Sequence, residues 1–353
     1  MAEEKTNKQL VLRGYGSVNK LQVQKKSLAA PAKDEIRIKV EACGINFADL
    51  MACQGVYDVN PTPPCVLGYE VAGVVDKLGE GVTEPAVGTR VIGVCRSGGW
   101  SEYAITAADL VVVMPDSMSF EEGAAIPVNY LTTYVMLFNF GNLQEGQSVL
   151  CHMAAGGVGY AVGQLCRTVP KVTLYGTCSA GKHEGAKENG YTHLIDYRTQ
   201  DYVNEIRKLE PEGIDLVLDP LGGTENKRNY DLTKTFGRQI VYGSANIVTG
   251  GSRSLMSIAK TWWNTSGRSP LDLMADNKMV GGVHLGHLFT GYYKKILPPA
   301  FSDIVRWYND GIVKPKIDSV HAFEDFTDAF RRIHERKNVG KVLFSPTKSP
   351  NSK

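Results

Sequence analysis

Segment 147–166, QSVLCHMAAGGVGYAVGQLC, has the residue types and spacing best suited to chemistry, because an apolar strand, a glycine-rich turn and a helix follow one another without a gap. In the dinucleotide fingerprint G-x-G-x-x-G, Ala154 takes the first position, Gly156 the second and Gly159 the third. Glycines let the backbone approach a pyrophosphate, and the helix N-terminus offers free N–H groups and a positive dipole end. A lone glycine-rich loop usually only turns the chain, but the flanking strand and helix favour a cofactor site. The predicted contacts are Ala155, Gly156, Gly157, Val158 and Gly159.

The residues after the next predicted strand, 171–176, indicate which nicotinamide cofactor the site would take. NAD-binding proteins of this type place an Asp or Glu there, which accepts hydrogen bonds from the adenosine ribose. Here Thr177 and Ser179 stand in that region, and Lys182 follows. A carboxylate would repel a 2′-phosphate, whereas a hydroxyl and an ammonium attract one. The sequence therefore predicts NADP, although Lys182 alone could be a solvated lysine at a helix start.

The elements that must position these residues alternate regularly from about residue 133, where strands at 148–152, 171–176, 193–195, 214–219 and 239–242 are separated by helices. This rhythm predicts a doubly wound parallel sheet. Residues 8–113 instead contain short strands and turns, which predict a β-rich domain. A long helix after Ser119 should lead into the parallel sheet, and an amphipathic helix is predicted at 298–311.

Composition limits the classes of function. The chain has 353 residues, enough for two domains, and its 43% hydrophobic and 22% charged residues with a net charge of +2 are ordinary for a soluble globular protein. No basic run indicates nucleic-acid binding, and the charged start has no apolar signal core. The seven cysteines never form C-x-x-C, which argues against a disulfide framework and a structural zinc lobe. We expect a cytoplasmic protein whose contact with membranes, if any, is peripheral.

Spaced motifs over residues 8–344 resemble the zinc-free quinone oxidoreductase branch of the medium-chain dehydrogenase/reductase superfamily. They include ACGINFADLMACQGVY (42–57), LGYEVAGVV (67–75), AAIPVNYLTTY (124–134), HMAAGGVGYAVGQLC (152–166) and NVGKVL (338–343). Within that branch, FGNLQEG (140–146) and TWWN (261–264) resemble the synaptic vesicle membrane protein (vesicle amine transport) family. The resemblance implies an α/β fold, with a Rossmann doubly wound parallel sheet at 133–287 and a β-rich GroES-like catalytic domain at 1–132 and 288–353.

The resemblance also bears on metal binding. Zinc-dependent relatives use a Cys and a Gly-His-Glu sequence as ligands, and here Cys43 matches the former while Tyr69 replaces the histidine. A phenol is a poor zinc ligand, since catalytic zinc sites use His, Cys and carboxylates. We therefore expect no metal, and Cys43 is expected to pack as a small apolar residue.

The reaction implied by the resemblance is direct hydride transfer from NADPH to a quinone or an α,β-unsaturated carbonyl compound, with the cofactor carrying the chemistry. Asn46 and Tyr57 would line the nicotinamide end as the catalytic residues, and Thr132 would face the nicotinamide ribose. Asn46 could instead cap the helix that it precedes, and Tyr57 could simply be a cleft aromatic. No acid–base pair is visible in the sequence, so water or a hydroxyl is expected to supply the proton.

At the other end of the cofactor, the resemblance implies contacts from residues after the second and third strands of the parallel sheet. Ser179, Lys182 and Tyr197 would surround the 2′-phosphate beside Thr177. Tyr197 could equally be a half-buried residue at a strand end. Ser244 and Asn338 would touch the cofactor from the far edge of the cleft.

A second class of function also fits the sequence, namely an NADP-binding protein whose main work is peripheral membrane or lipid binding. The resembled family is associated with vesicle and mitochondrial outer membranes. The segments around 262–263 and 292–295 combine aromatic and positively charged residues, a mixture that suits a membrane interface. They are Trp262, Trp263, Tyr292, Tyr293, Lys294 and Lys295. A packed lid and dimer surface is the alternative interpretation.

The last predicted strand of the parallel sheet, 279–285, would lie at its edge, where an apolar strand must be paired or covered. The resemblance implies pairing of this edge across a two-fold axis. We therefore expect a homodimer, with the adjacent Gly281 and Gly282 weakening the strand or marking a bulge.

Overall fold

The computed structural model describes residues 5–57, 59–247, 256, 263–265, 267–289 and 293–351. Strands from both ends of the chain build a β-rich part in which a three-stranded sheet, ordered β2-β1-β4, lies beside a seven-stranded sheet. The seven-stranded sheet has the order β15-β16-β3-β5-β6-β8, with β7 pairing β3. The strands are β1 (Thr6–Leu12), β2 (Leu21–Ser27), β3 (Glu35–Ile45), β4 (Cys65–Val66), β5 (Glu70–Leu78), β6 (Arg90–Val94), β7 (Tyr103–Ala107), β8 (Val111–Val113), β15 (Ile317–His321) and β16 (Lys341–Phe344).

Helix α1 (Phe47–Gln54) lies between β3 and β4, and helices α2 (Phe120–Ala125) and α3 (Pro127–Tyr134) connect the β-rich part to the rest of the molecule. Ser119 caps α2 as predicted, because its hydroxyl accepts the Glu122 N–H while the Glu122 carboxylate accepts the Ser119 N–H. The single long helix predicted after Ser119 is wrong. The chain starts a new helix at Pro127, which has no N–H to continue the hydrogen-bond ladder of α2, and it ends in a π-helical stretch, Val135–Phe140.

The predicted doubly wound sheet is confirmed. Its six strands have the order β11-β10-β9-β12-β13-β14, and every pairing is parallel. All five residues of the central β9 are buried, as expected for a strand covered on both faces. The elements are β9 (Ser148–His152), α4 (Gly157–Cys166), β10 (Thr173–Thr177), α5 (His183–Glu188), β11 (His193–Ile195), α6 (Tyr202–Leu209), β12 (Ile214–Asp219), α7 (Thr224–Leu232), β13 (Thr233–Val241), α8 (Pro270–Asp276) and β14 (Met279–Gly282).

Strand β14 is shorter than the predicted strand 279–285. It ends at Gly282, and the chain then turns into helix α9 (Leu285–Leu288). Val283 and Leu285 are buried, so the apolar run continues beyond the strand. Hydrophobicity alone therefore did not mark the end of β14. The Val283 N–H donates to the Val241 carbonyl at 2.9 Å, inside the same sheet.

Two further helices precede the last strands of the β-rich part, α10 (Tyr293–Asn309) and α11 (Phe326–His334). Helix α10 begins before the predicted start at 298 and contains Pro298 and Pro299. Burial of Leu297, Ala300 and Phe301 shows that packing overrides the poor helix propensity of the prolines. Within the described residues, no helix is both long and apolar enough to cross a bilayer.

After the parallel sheet, the chain returns to the β-rich part, where it forms β15 and β16. The segment before β16 therefore lies beside the cleft between the parallel sheet and the β-rich part. The Gly340 N–H donates to the Ala155 carbonyl at 2.9 Å, which docks the segment before β16 onto the glycine-rich turn. The domain boundaries at 132/133 and 287/288 stay a prediction.

Candidate functional site

A cavity of about 1270 Å³ runs along the cleft between the parallel sheet and the β-rich part. The structure brings all the predicted site residues to this one cavity. They are Asn46, Tyr57, Thr132, Ala155, Gly156, Gly157, Val158, Gly159, Thr177, Ser179, Lys182, Tyr197, Ser244 and Asn338. We call the part around turn 154–159 the glycine-rich end, and the part around Asn46 the buried-network end.

The glycine-rich end is shaped by positions that admit no side chain. A Cβ on Gly159 would lie 2.5 Å from the carbonyl oxygens of Met153 and Ala154, and one on Gly157 would lie 2.6 Å from the Asn129 amide. These glycines therefore let the start of helix α4 pack closely against the turn after β9 and against helix α3. A Cβ on Gly156, the N-cap residue, would meet only the Met153 oxygen, at 3.2 Å. The space in front of Gly156 therefore suits a ligand group that approaches the backbone, and this cradle fits a dinucleotide pyrophosphate.

Lys182 lies at the outer side of the glycine-rich end and reaches across the cleft. Its Nζ donates to the carbonyl oxygens of Arg336, at 2.8 Å, and Asn338, at 2.7 Å. Partial burial lowers the pKa of this lysine. Lys182 therefore ties the parallel sheet to the β-rich part, a role that the sequence did not indicate.

Other residues around Lys182 add hydroxyl groups and positive charge. Ser179 precedes a short 3-10 turn, and the Tyr197 side chain is 41% exposed. The Arg198 guanidinium lies 5.9 Å from the Tyr197 ring centroid, and Arg198 and Arg336 both line the cavity. Sequence reasoning missed these two arginines, which no motif marked. Hydroxyls and cations without a carboxylate at the end of β10 suit a phosphate.

Thr177 ends strand β10 beside a buried histidine that sequence reasoning also missed. Its Oγ1 lies 3.0 Å from His152 Nδ1, while His152 Nε2 lies 2.8 Å from the Asn229 side-chain oxygen. Burial lowers the pKa of His152, so the ring is neutral. The Thr177 hydroxyl is therefore hydrogen-bonded to the buried His152, although Thr177 also lines the cavity as predicted.

At the buried-network end, Asn46 is held by charged side chains from two other strands. Its Oδ1 accepts from Lys341 Nζ at 2.6 Å, and its Nδ2 donates to Glu70 Oε1 at 2.8 Å. Lys341 also pairs with Glu70 Oε1, while Glu70 Oε2 accepts the Val128 N–H at 2.7 Å. Glu70 is fully buried and Lys341 is 3% exposed. Glu70 and Lys341 meet only in the folded chain, so the sequence did not reveal this ion pair.

Asp49 extends this network from the first turn of α1. Its Oδ2 accepts the Asn46 N–H at 2.8 Å, so Asn46 is the N-cap residue of α1 as well as a cavity residue. Within the described residues, Asp49 Oδ1 has no hydrogen-bond partner. Complete burial raises the pKa of Asp49 to about 8.

Tyr57 and Tyr69 lie near each other, with ring centroids 6.0 Å apart. The Tyr69 hydroxyl donates to Asn60 Oδ1 at 2.8 Å, and burial raises its pKa well above the usual value. Tyr57 stacks on His284, with ring centroids 4.9 Å apart. His284 also lines the cavity, and sequence reasoning missed it.

The donor groups at the position of the zinc site of other dehydrogenases do not fit a metal. Cys43 is fully buried, and burial raises the pKa of its thiol. Tyr69 is a protonated phenol engaged with Asn60, and Glu70 is neutralised by Lys341. Among the residues that the structure describes, no three His, Cys, Asp or Glu side chains group in a way that could hold an ion.

Two family models match the chain. The alcohol dehydrogenase GroES-like domain matches residues 32–116, and the zinc-binding dehydrogenase model matches residues 189–343. Together they agree with a GroES-like β-rich part and a parallel sheet of the dehydrogenase type. The predicted fold class is thereby confirmed.

Among curated proteins, the human synaptic vesicle membrane protein VAT-1 homolog is 49% identical over 96% of this chain and 86% of its own length. The pig quinone oxidoreductase is 34% identical over 90% of this chain and 91% of its own length.

Solved structures agree with these relationships. The human synaptic vesicle membrane protein VAT-1 homolog-like protein has a TM-score of 0.86 and 38% identity, covering 98% of this chain and 99% of its own. The Escherichia coli quinone oxidoreductase complexed with NADPH has a TM-score of 0.83 and 25% identity, covering 97% of this chain and all of its own.

Proposed function

The chain belongs to the synaptic vesicle membrane protein VAT-1 family of the medium-chain dehydrogenase/reductase superfamily, and on that premise we propose that it is an NADPH-dependent oxidoreductase. It would transfer hydride, without zinc, to a quinone or an α,β-unsaturated carbonyl compound. The observation that carries this proposal is the single cavity that joins the glycine-rich end to the buried-network end. The related enzymes named quinone oxidoreductase support the reaction class.

NADPH would supply the hydride, and the chain supplies binding, orientation and electrostatics. The backbone around Gly156 and the N-terminus of α4 receive the pyrophosphate, because no Cβ blocks the approach and the helix dipole favours negative charge. Ser179, Lys182 and Tyr197 receive the 2′-phosphate, which makes NADP the preferred form. Ser244 and Asn338 complete the wall of the cleft.

At the other end, Asn46 presents a side chain whose orientation is fixed by Lys341 and Glu70. A buried amide held by two charged partners cannot rotate freely, so it offers a preorganised contact to the nicotinamide ribose or the substrate oxygen. Thr132, which is 7% exposed, and Tyr57 form the neighbouring walls. Hydride transfer needs reacting atoms held in close, fixed geometry, and this rigid end meets that need.

Activity is tested by following NADPH oxidation with a panel of quinones and enones, with NADH in parallel. We expect turnover with NADPH to exceed turnover with NADH, and chelators to leave the rate unchanged. Elemental analysis of the purified protein supplies the matched metal measurement. No NADPH oxidation with any acceptor would reject the enzyme proposal, and stoichiometric zinc would reject the zinc-free reaction.

A second candidate function is peripheral membrane or phospholipid binding by a cytoplasmic NADP-binding protein, at vesicles or mitochondrial outer membranes. Two apolar side chains, Met256 and Trp263, are each 82% exposed, and relatives are named synaptic vesicle membrane proteins. Trp262 and Tyr292 lie outside the described residues. Flotation with anionic liposomes, with and without NADPH, tests this function. Recovery of the protein in the lipid fraction only for wild type, and not for Trp263→Ser, would support it.

We also propose that two copies pair along β14, which is an edge strand of the six-stranded sheet among the residues that the structure describes. Exposed apolar side chains lie on the neighbouring segments, with Phe236 80%, Leu271 70% and Met274 69% exposed. An exposed edge of this kind needs a cover.

The Val283 N–H is already bonded within the chain, so replacing Val283 would not test the pairing. Backbone N–H groups point alternately to the two sides of a strand. Because the Val283 N–H points to β13, the Val280 N–H points to the opposite, outer side of β14. Val280→Pro should therefore shift the light-scattering mass from dimer to monomer, whereas Val280→Ala should not. A wild-type protein that is monomeric at micromolar concentration would contradict the pairing.

A further inference from the structure

Lys341 carries a charged side chain that is almost completely enclosed in the protein, yet the residue lines the cavity. It is the first residue of β16 and is 3% exposed. A buried ion pair is weak evidence for a stabilising role, because apolar side chains of similar volume often stabilise a fold as well or better. Stability alone therefore does not explain this ammonium group. A few fixed polar groups in a cleft are instead typical of a ligand site.

An ammonium group has three N–H donors, and the folded chain uses two of those on Lys341. One donates to Asn46 Oδ1 at 2.6 Å, and one pairs with Glu70 Oε1. Across the residues that the structure describes, Lys341 Nζ has no third hydrogen-bond partner. One N–H of a nearly fully buried ammonium group is thus left for a ligand that enters the cavity.

The partners of Lys341 hold its ammonium group in place. Asn46 Nδ2 donates to the same Glu70 Oε1 at 2.8 Å, so the three side chains form a closed ring of contacts. Glu70 Oε2 is fixed in turn by the Val128 N–H at 2.7 Å. Lysine only donates and a carboxylate only accepts, so the Asn46 amide has one possible orientation. The unused N–H therefore belongs to a preorganised group.

The cavity wall next to Asn46 is apolar. It is lined there by Ile45, Phe47, Ala48, Met51 and Val128. The field of a positive charge is weakened much less between apolar walls than in bulk water. A ligand that reaches Lys341 therefore needs one polar atom on an apolar body, and the carbonyl oxygen of a quinone or an enone meets this need.

We propose that Lys341 is a catalytic residue whose ammonium group binds the carbonyl oxygen of the quinone or enone and stabilises the negative charge that develops on it. This inference rests on the proposed oxidoreductase function. It also names the electrophile of a reaction without zinc, because the cation paired with Glu70 belongs to the chain itself.

The electron balance of the reaction leaves the charge on this oxygen. In an enone, hydride forms a C–H bond at the β-carbon, the double-bond pair moves to the neighbouring carbon–carbon bond, and the carbonyl pair moves onto oxygen. A quinone that gains the same two electrons becomes a hydroquinone anion. Lys341 holds the anionic oxygen by a hydrogen bond and keeps its proton, and water supplies the proton that completes the product. A donor fixed before the reaction stabilises such an anion without reorganisation during it.

The test removes the cation without leaving a buried charge behind. The double variant Glu70→Gln/Lys341→Met replaces the ion pair by neutral side chains of similar size. The Gln oxygen can accept the Val128 N–H, and its amide nitrogen can donate to Asn46 Oδ1 in place of Lys341. Asn46 therefore stays held, and only the ammonium group is lost.

Arg37→Met/Asp76→Asn is the matched control. This ion pair joins β3, which precedes Asn46, to β5, which contains Glu70, and neither of its residues lines the cavity. A stable oxyanion, 4-nitrophenolate, and its uncharged counterpart, 4-nitroaniline, are titrated by equilibrium dialysis against the full chain saturated with NADP⁺. This measurement does not depend on turnover.

In Glu70→Gln/Lys341→Met, the affinity for 4-nitrophenolate should fall by about 10- to 100-fold, the usual effect of losing a hydrogen bond to a charged group. The affinities for 4-nitroaniline and NADP⁺ should not change, and the control should match wild type for all three ligands. An unchanged affinity for 4-nitrophenolate would overturn the proposal. So would a loss of NADP⁺ affinity, because it would show that Lys341 binds the cofactor instead.

A crystal structure of wild type with NADP⁺ and 4-nitrophenolate gives a second test that needs no variant to fold. The phenolate oxygen should lie about 2.7–3.2 Å from Lys341 Nζ, the distance of a hydrogen bond. A phenolate oxygen bound elsewhere in the cavity would overturn the assignment.

Turnover separates this inference from the proposed function. If wild type oxidises NADPH, kcat of Glu70→Gln/Lys341→Met should fall by about 100- to 1000-fold with an enone. The loss should be smaller with a halogenated quinone, whose product anion is stable by itself, and equal losses would indicate a structural role and overturn the assignment. If wild type oxidises no NADPH but the 4-nitrophenolate affinities differ as expected, the oxidoreductase proposal fails and the anion site at Lys341 stands.

Discussion

The two ends of the cavity are built from different parts of the polypeptide. The glycine-rich end is formed by backbone from one continuous segment, where bare glycines such as Gly156 and Gly159 make room for a ligand. The buried-network end is formed by the side chains of Asn46, Glu70 and Lys341. In the sequence, Glu70 lies 24 residues from Asn46, and Lys341 lies 295 residues from it. One end is shaped by the absence of side chains, and the other by charged side chains enclosed in the protein.

This difference predicts where each end is fragile. Backbone contacts survive most side-chain changes and fail when a Cβ is added. A buried ion pair tolerates little, because removal of one partner leaves an uncompensated charge in a poorly solvated place. Substitutions at the buried-network end should therefore affect stability, whereas substitutions at the glycine-rich end should affect binding.

The largest effect is expected from breaking the Glu70–Lys341 pair. Lys341→Met leaves the Glu70 carboxylate buried without its cation, and removing one partner of a buried pair typically costs about 3–5 kcal/mol. Urea unfolding measures this loss. Lys227→Met is the matched control, because its pair with Asp231 is exposed and exposed pairs contribute about 0–1 kcal/mol. If both variants lost the same stability, the contrast between the ends would be wrong.

A Cβ at the pyrophosphate cradle is expected to weaken the binding of both cofactors. Gly156→Ala introduces a methyl group whose nearest contact in the free protein is the Met153 oxygen at 3.2 Å, so folding should be retained. The methyl group occupies the space through which the pyrophosphate approaches, so affinity for both NADPH and NADH should fall by about tenfold or more, roughly 1.4 kcal/mol.

Calorimetric titration checks this prediction, with Gly181→Ala as the control because a Cβ there meets nothing within 4 Å. A normal NADPH affinity in Gly156→Ala would show that the pyrophosphate lies elsewhere.

The difference between the ends also explains what the sequence could predict. Strands β9 and β11 and helix α6 have the predicted bounds, because local periodicity and flanking turns define them. The glycine-rich turn was recognisable since its residues are contiguous. The resemblance brought Asn46 to the cavity, but the ion pair that holds it could not be predicted. Glu70 and Lys341 each lie in an apolar strand, and only the sheet order β16-β3-β5 brings them together.

His284 shows the same limit at the end of β14. The predicted strand 279–285 would have placed His284 in the sheet, whereas the chain leaves the sheet after Gly282 and turns this side chain into the cavity. Apolar residues continue past the turn because the cleft wall is itself buried. Hydrophobic pattern thus reports burial, and it does not report whether the buried residue lies in a strand or in a cleft wall.

Lys182 tests the outer side of the glycine-rich end, where a side chain does contribute. A charge-assisted bond to the 2′-phosphate should contribute about 1.5–3 kcal/mol, so Lys182→Ala should weaken NADPH binding more than NADH binding. Loss of the bonds to the Arg336 and Asn338 carbonyls affects both cofactors alike and cancels in the ratio. Lys187→Ala, an exposed lysine on α5, is the control for charge alone. Equal losses for the two cofactors would reject the phosphate assignment.

The smallest effect concerns the protonation of Asp49, which sharpens the comparison because it tests a fully buried carboxyl group of the buried-network end. Burial raises the pKa of Asp49 to about 8 in the folded chain, while the unfolded chain has an ordinary value near 3.8. Between these values the folded state binds more protons, so stability should fall as pH rises from about 4 to about 8 and level off above that range.

Asp49→Asn removes this proton linkage and keeps an oxygen that can accept the Asn46 N–H. Relative to the variant, wild type should lose about 1 kcal/mol between pH 7 and pH 8, within the limit of roughly 1.4 kcal/mol per pH unit for one proton. Urea unfolding at the two pH values measures the difference. Parallel pH profiles for the two proteins would mean that Asp49 is ionised in the folded chain, and Lys341 would then have to balance two carboxylates at the buried-network end rather than one.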